Sequence, residues 1–113
     1  RKADLFDATF QWAQSHGALF NEANLTSVNF IGTNLTKVNF SQANLSYTDL
    51  RKTNLSEADL VGVRLDKALI EKNWREQLKE WQPTGIKELQ ENYSVVSDTL
   101  DKFGGAMYRL RKN

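Results

Sequence analysis

From Leu5 onward every fifth residue of this chain is large and apolar, with one exception: Leu5, Phe10, Ser15, Phe20, Leu25, Phe30, Leu35, Phe40, Leu45, Leu50, Leu55, Leu60, Leu65 and Ile70. Helices repeat near 3.6 residues and strands near 2, so a period of five fits neither. Two places before each of these positions stands a small or β-branched residue, from Ala3 through Val28 and Thr53 to Ala68. Between the two lies Asn or Asp at Asp4, Asn24, Asn29, Asn34, Asn39, Asn44, Asp49, Asn54 and Asp59. The register never slips between Leu5 and Ile70, which excludes chance.

A five-residue unit with two inward positions around one outward position is a very short extended segment followed by a corner. Four corners close a square coil of twenty residues, and stacked coils sit at the spacing of paired strands, about 4.8 Å. The large residue fills the interior, and the small one fits where the wall comes closest to the axis. Asn and Asp suit the place between them because their side chains bond nearby backbone and tolerate turns; from coil to coil they can also stack into ladders. The interior columns are then Leu5, Leu25, Leu45, Leu65; Phe10, Phe30, Leu50, Ile70; Ser15, Leu35, Leu55; and Phe20, Phe40, Leu60. Each apolar member contributes roughly 1.5 to 3 kcal/mol on full burial, before entropy, enough to hold about three and a half coils together. Ser15, in the coil that also holds Trp12, His16 and Gly17, is expected to mark a local distortion.

The motifs ANLTS (23–27), ANLSY (43–47) and ADLVG (58–62) resemble those of the pentapeptide-repeat family. The resemblance covers residues 3 to about 70 and implies an all-β solenoid, a right-handed quadrilateral β-helix of about 3.5 coils. It implies little about function, because a solenoid is a scaffold and function lives in sites placed on it.

After Ile70 the composition shifts to charged and aromatic residues, so the expected organisation is a repeat β-helix over 1–70 and a small α or α+β capping segment over 71–113. Within EKNWREQLKEWQ (71–82), Trp74, Leu78 and Trp81 fall on one stripe of an amphipathic helix, which Pro83 stops. Thr84 is expected to cap a second short helix on which Ile86, Leu89 and Tyr93 share a face. Two readings stay open for residues 94–113. One is a hairpin from Val95 and Val96 through a Gly104-Gly105 turn into AMYRLR; the other is a short helix capped by Ser97 and ended by Gly104. A solenoid's open edge has to be covered, and Trp74, Leu78 and Trp81 are the expected contacts. At the other end Arg1 and Lys2 lead straight into the repeats, without an initiator Met or a signal-peptide pattern. The first coil is therefore expected to meet an upstream domain or a second copy as a homodimer, and the chain to be part of a larger bacterial protein.

The chain has no cysteine, which removes disulfides and thiolate metal sites. A single histidine, His16, and scattered carboxylates offer no metal or cofactor site. His16 faces outward while Ser15 faces inward, so they do not form a catalytic pair. No apolar run approaches the roughly 18 residues of a membrane span, and a cytoplasmic location without membrane association is expected. The 15 basic and 14 acidic residues give no reason to expect nucleic acid. The family resemblance also implies an alternative activity, mimicry of DNA by an acidic rod that binds a type II topoisomerase and protects it from quinolones. Mimicry needs a strongly negative surface. Residues 1–70 carry seven acids and seven bases, so the fit is poor.

Most outward positions are polar; the exceptions are Phe6, Trp12, Leu19, Ile31, Tyr47, Val61 and Leu69. Leu69 adjoins the C-terminal segment. Trp12 and Ile31 share a face in adjacent coils, with Arg51 and Lys52 one coil further along, and these four form a candidate patch for a protein partner. The expected function is a non-enzymatic protein-interaction or scaffold module.

Overall fold

The computed structural model describes residues 4–100 and 102–113, with only the backbone at 98 and 99. Arg1, Lys2 and Ala3, which open the repeat pattern, lie outside the described residues, as does Asp101 between the two arms of the expected hairpin.

Each five-residue unit closes in a tight turn. The Leu5 carbonyl accepts the Ala8 N–H at 3.0 Å, and the same bond recurs from Ala13 to Phe10 and from Ala43 to Phe40. The third turn residue has positive φ throughout: 65° at Asp7, 63° at Trp12, 59° at Lys37, 61° at Tyr47, and 71°, 68° and 70° at Gly17, Gly32 and Gly62. That is the signature of a type II turn. The preceding Asn or Asp braces the turn. Its side-chain oxygen accepts the N–H two residues on, as from Ile31 to Asn29 at 2.9 Å and from Ser41 to Asn39 at 2.9 Å. The hydroxyls of Thr26, Thr36, Ser41 and Ser56 donate to the same amide oxygens. The ladder expected between coils is therefore sparse, because the amides are committed locally. Asn24 donates to Asp4 at 3.2 Å and Asn34 to Gln14 at 3.1 Å.

Parallel bridges join residues twenty apart on all four walls: Asp4 to Asn24, Thr9 to Asn29, Gln14 to Asn34 and Leu19 to Asn39, continuing to Asp49 with Leu69. Ser15 keeps this geometry, donating its N–H to Asn34 at 3.0 Å and accepting from Ala18 at 3.0 Å, so the distortion expected there does not occur. The backbone bonds, rather than the side chain, set the path. Inside, Leu25, Phe30, Leu35, Phe40, Leu45, Leu50, Leu55, Leu60, Leu65 and Ile70 are all at most 2% exposed. Leu5, Phe10 and Phe20, in the first coil, are only partly buried against them. Phe10 stacks on Phe30 at 5.3 Å and Phe20 on Phe40 at 5.7 Å, while these two columns, on opposite walls, meet edge to face across the interior.

The last repeat ends in β1 (Leu69–Ile70), and after it come α1 (Trp74–Trp81), α2 (Ile86–Asn92), β2 (Tyr93–Leu100) and β3 (Ala106–Lys112). The strands form one antiparallel sheet in the order β1-β3-β2. Val95 pairs with Leu110 and Ser97 with Tyr108, so residues 97–100 extend as strand and the helical alternative is not formed. Trp74 and Leu78 are buried, and Trp81 packs its ring edge-on to Trp74 at 5.9 Å. Leu89, Tyr93 and Leu110 join the same core.

Thr84 does not cap α2, whose N-terminus is Gly85 at φ 93° without a side-chain bond. Instead it bridges to Asp59, accepting from Leu60 and donating to Ala58, each at 2.9 Å. The last coil finds other partners around its edge. Glu57 donates to the Trp81 carbonyl at 2.9 Å, Lys67 to that of Leu110 at 2.8 Å, and Leu65 to the Tyr93 hydroxyl at 2.9 Å. Lys52 donates its N–H to the Glu71 carboxylate at 3.1 Å. Residues 71–113 thus supply acceptors on every side of the square.

Candidate interaction surface

Trp12, Ile31, Arg51 and Lys52 stand on one corner of the rod. Trp12 donates its N–H to Ile31 at 2.8 Å and Gly32 donates to Arg51 at 3.0 Å, so the three turns stack directly. Trp12 is 60% exposed, yet it is seated: a Cβ added to Gly32 would lie 2.0 Å from the indole. The bare backbone of Gly32 is what lets the ring lie along the surface. Ile31 is half-buried beside it.

The two bases differ from their sequence-level appearance. Arg51 folds back on Asp49, with Nε to Oδ1 at 2.9 Å and a second guanidinium nitrogen to Oδ2 at 2.5 Å. Its charge is thereby offset, and a bidentate pair of this kind holds the guanidinium in place. Lys52 keeps its side chain exposed. The corner therefore combines an aromatic ring, an aliphatic side chain, a neutralised arginine and one exposed ammonium.

A feature the sequence did not reveal lies at the end of the same corner. A cavity of about 240 Å³ is lined by Arg51, Ile70, Glu71, Lys72, Ala106, Met107 and Tyr108. Its two halves come from a turn and from β3, far apart in the chain, and no local pattern links them. Among the other apolar outward residues, Leu69 is buried by β3, whereas Phe6, Leu19, Tyr47 and Val61 are exposed at separate turns and walls.

Among the described residues no group of three or more His, Cys, Asp or Glu is placed to share a metal ion. Ser15 is half-buried and His16 exposed. Along each axial column of the square no more than one acid occurs, and the acids Asp49 and Asp66 stand beside Arg51 and Arg64. Among the described residues no helix is long and apolar enough to cross a membrane.

Among solved structures the chain is similar to Rfr23, a pentapeptide repeat protein from the cyanobacterium Cyanothece 51142: 30% identical, covering 63% of this chain and 45% of that chain, with a TM-score of 0.54. A pentapeptide repeat protein from the Arabidopsis thaliana thylakoid lumen is 25% identical, covering 92% of this chain and 63% of that one, with a TM-score of 0.49. QnrB1, a plasmid-mediated fluoroquinolone resistance protein, is 19% identical over 69% of this chain and 40% of its own, with a TM-score of 0.35. The chain spans about half the length of these structures. No curated protein matches it. The family of pentapeptide repeats matches in eight copies over residues 3–42 and 33–71. Together with the twenty-residue bridge spacing, this match places the chain in the pentapeptide-repeat family, whose members form right-handed β-helices.

Proposed function

We propose that this chain is a non-enzymatic binding module: a β-helix of about three and a half coils over residues 1–70, capped at its C-terminal edge by residues 71–113, that docks a protein partner along the corner of Trp12, Ile31, Arg51 and Lys52. The observation that carries the reading is the seat of Trp12. A tryptophan that stays 60% exposed while its ring rests on a glycine made to fit it is already ordered before binding. Anchors of that kind lose little entropy on association and dominate protein interfaces. Elsewhere on the walls the Asn oxygens are occupied by their own turns. The charge distribution supports this reading over mimicry of DNA, since a single acid per column does not form a phosphate-like row.

Photo-crosslinking tests the reading. A crosslinking amino acid at Gln11, next to Trp12, is expected to form a discrete adduct in the source cell, and Trp12→Ala to abolish it. The same group at Glu22, on the diagonally opposite corner, should give none. Equal adducts from both corners, or an adduct at Gln11 that survives Trp12→Ala, would overturn the proposal.

A further inference from the structure

The corner does not end at Lys52. Its column runs Gln11, Ile31, Arg51, Glu71, and at Glu71 the chain leaves the coil register. Where another coil would have presented a backbone carbonyl to the Lys52 N–H, the Glu71 carboxylate takes its place, at 3.1 and 3.2 Å from its two oxygens. That departure leaves the cavity between Arg51 and β3, so the exposed corner and the cavity are one continuous strip. We propose that the strip binds an extended acidic and apolar peptide segment of the partner. An apolar side chain enters the cavity, a carboxylate lies between Lys52 and Lys72, and a second apolar side chain rests on Trp12 and Ile31. The proposal rests on the docking surface argued above and adds the chemistry of its ligand.

Three observations carry it. The first is size. At about 240 Å³ the cavity falls below the roughly 300 to 1,000 Å³ of small-molecule sites, which suits a single anchoring side chain better than a cofactor. Met107 and Ile70 in its lining supply an apolar wall, and methionine adapts to differently shaped anchors. The second is charge. Arg51 is matched by Asp49, and the Glu71 carboxylate is committed to the Lys52 N–H. Lys52 and Lys72 are exposed, and neither makes an ion pair among the described residues. The bond to the Lys52 N–H leaves the Glu71 carboxylate its charge, but with Arg51 and Asp49 offsetting each other, Lys52 and Lys72 outweigh it among the described residues around the cavity, and the net positive charge complements a carboxylate. The third is length. From Trp12 to Lys52 is two coil steps, about 10 Å at the spacing of paired strands, and the cavity lies just beyond, so an extended segment of about four or five residues reaches from one to the other.

Selection of short random peptides displayed on phage against the folded chain tests the proposal. Enriched sequences are expected to pair an apolar or aromatic residue with an acid a few places away. Binding of the best peptide should fall about tenfold with Lys52→Glu or Lys72→Glu, fall with rising salt, and be unchanged by Lys37→Glu on another corner. Ala106→Trp should block the cavity, with circular dichroism confirming that the variant is folded. Peptides without acids, or binding indifferent to both charge reversals, would overturn the acidic and apolar chemistry. If such peptides still lost binding with Trp12→Ala, the docking surface would stand with a different ligand. No enrichment at all would refute the strip as a peptide site, leaving the crosslink at Gln11 to decide the docking surface separately.

Discussion

Lys37 sits at φ 59°, a conformation that glycine adopts freely and that costs a residue with a side chain about 1 to 2 kcal/mol. The same conformation is taken by Asp7, Trp12, Glu22, Ser27, Gln42, Tyr47, Lys52, Glu57 and Lys67. These positions were not legible in the sequence because the turn demands no particular residue type there. Two backbone bonds per unit and the Asn brace impose the conformation on whatever side chain is present. The inward columns were legible for the opposite reason: a closed interior accepts only certain volumes, and the repeat of Leu and Phe records that directly. Trp12 on Gly32 was only half visible. The sequence placed Trp12 outward, but a glycine in a turn reads as a turn residue and not as a seat for a ring twenty residues away. Lys37 is exposed and makes a clean test. Lys37→Gly is expected to raise stability by about 0.5 to 1 kcal/mol, and Lys37→Val to lower it by about 1 kcal/mol or more, because a β-branched residue tolerates this conformation worst. Urea unfolding with an unchanged m-value reads both shifts. A stabilising Val or a destabilising Gly would contradict the assigned turn.

In the elements after the repeats, sequence pattern gave helix α1 and its buried stripe but misplaced the role of Thr84. A threonine ahead of a helix is ordinarily read as its cap. Here the unsatisfied edge of the last coil claims the Thr84 backbone instead, and a single-sequence pattern cannot anticipate a hydrogen-bond demand set by distant residues. Tyr93 shows the same effect more strongly. It ends α2, begins β2, and carries its hydroxyl to the Leu65 N–H at 2.9 Å while donating to Asp66 at 2.7 Å. Burial pushes the phenol from its ordinary 10.0 to about 12; the bond to Asp66 and its charge act in the same direction, against the opposing effect of the Leu65 N–H. Below pH 10 the phenol is protonated in both folded and unfolded chains, so its contribution is fully present. Between about 10 and 12 the unfolded chain releases a proton that the folded one keeps, so stability falls as pH rises, by at most about 1.4 kcal/mol per unit. Tyr93→Phe strands the Leu65 N–H and is expected to cost about 1 to 2 kcal/mol at neutral pH. Thermal melts of both proteins should show that gap constant up to pH 10 and narrowing above it. A gap that widened at high pH would mean that the phenol ionises more easily in the folded chain.

Across the whole molecule the repeats look equivalent in sequence, whereas their environments differ. A solenoid coil contacts only its neighbours, so a coil's stability depends on what lies on each side of it. Leu25 through Ile70 have their large side chains at most 2% exposed, while Leu5, Phe10 and Phe20 are covered from one side. Ser15 belongs to that same partly covered coil and is itself half-buried. At the opposite end Leu110 is 1% exposed, and its backbone exchanges bonds with Lys67 and Ala68. Periodicity could not show this gradient, because the pattern registers which way a residue faces and not how deeply its coil is enclosed. Amide hydrogen exchange makes it measurable. The turn amides of Ala8, Ala13 and Ala18 make bonds equivalent to those of Ala43, Thr48 and Ala58, so unequal exchange between the two sets reports local opening and not bond type. The first set is expected to exchange at least about tenfold faster, corresponding to about 1.4 kcal/mol less protection. Leu110→Ala, at a cost of about 2 to 4 kcal/mol, should accelerate Lys67 and Leu69 while barely moving the first set, provided that coils open one at a time from the ends. Uniform exchange in the unaltered protein, or equal acceleration of every amide by Leu110→Ala, would show that the chain opens only as a single unit.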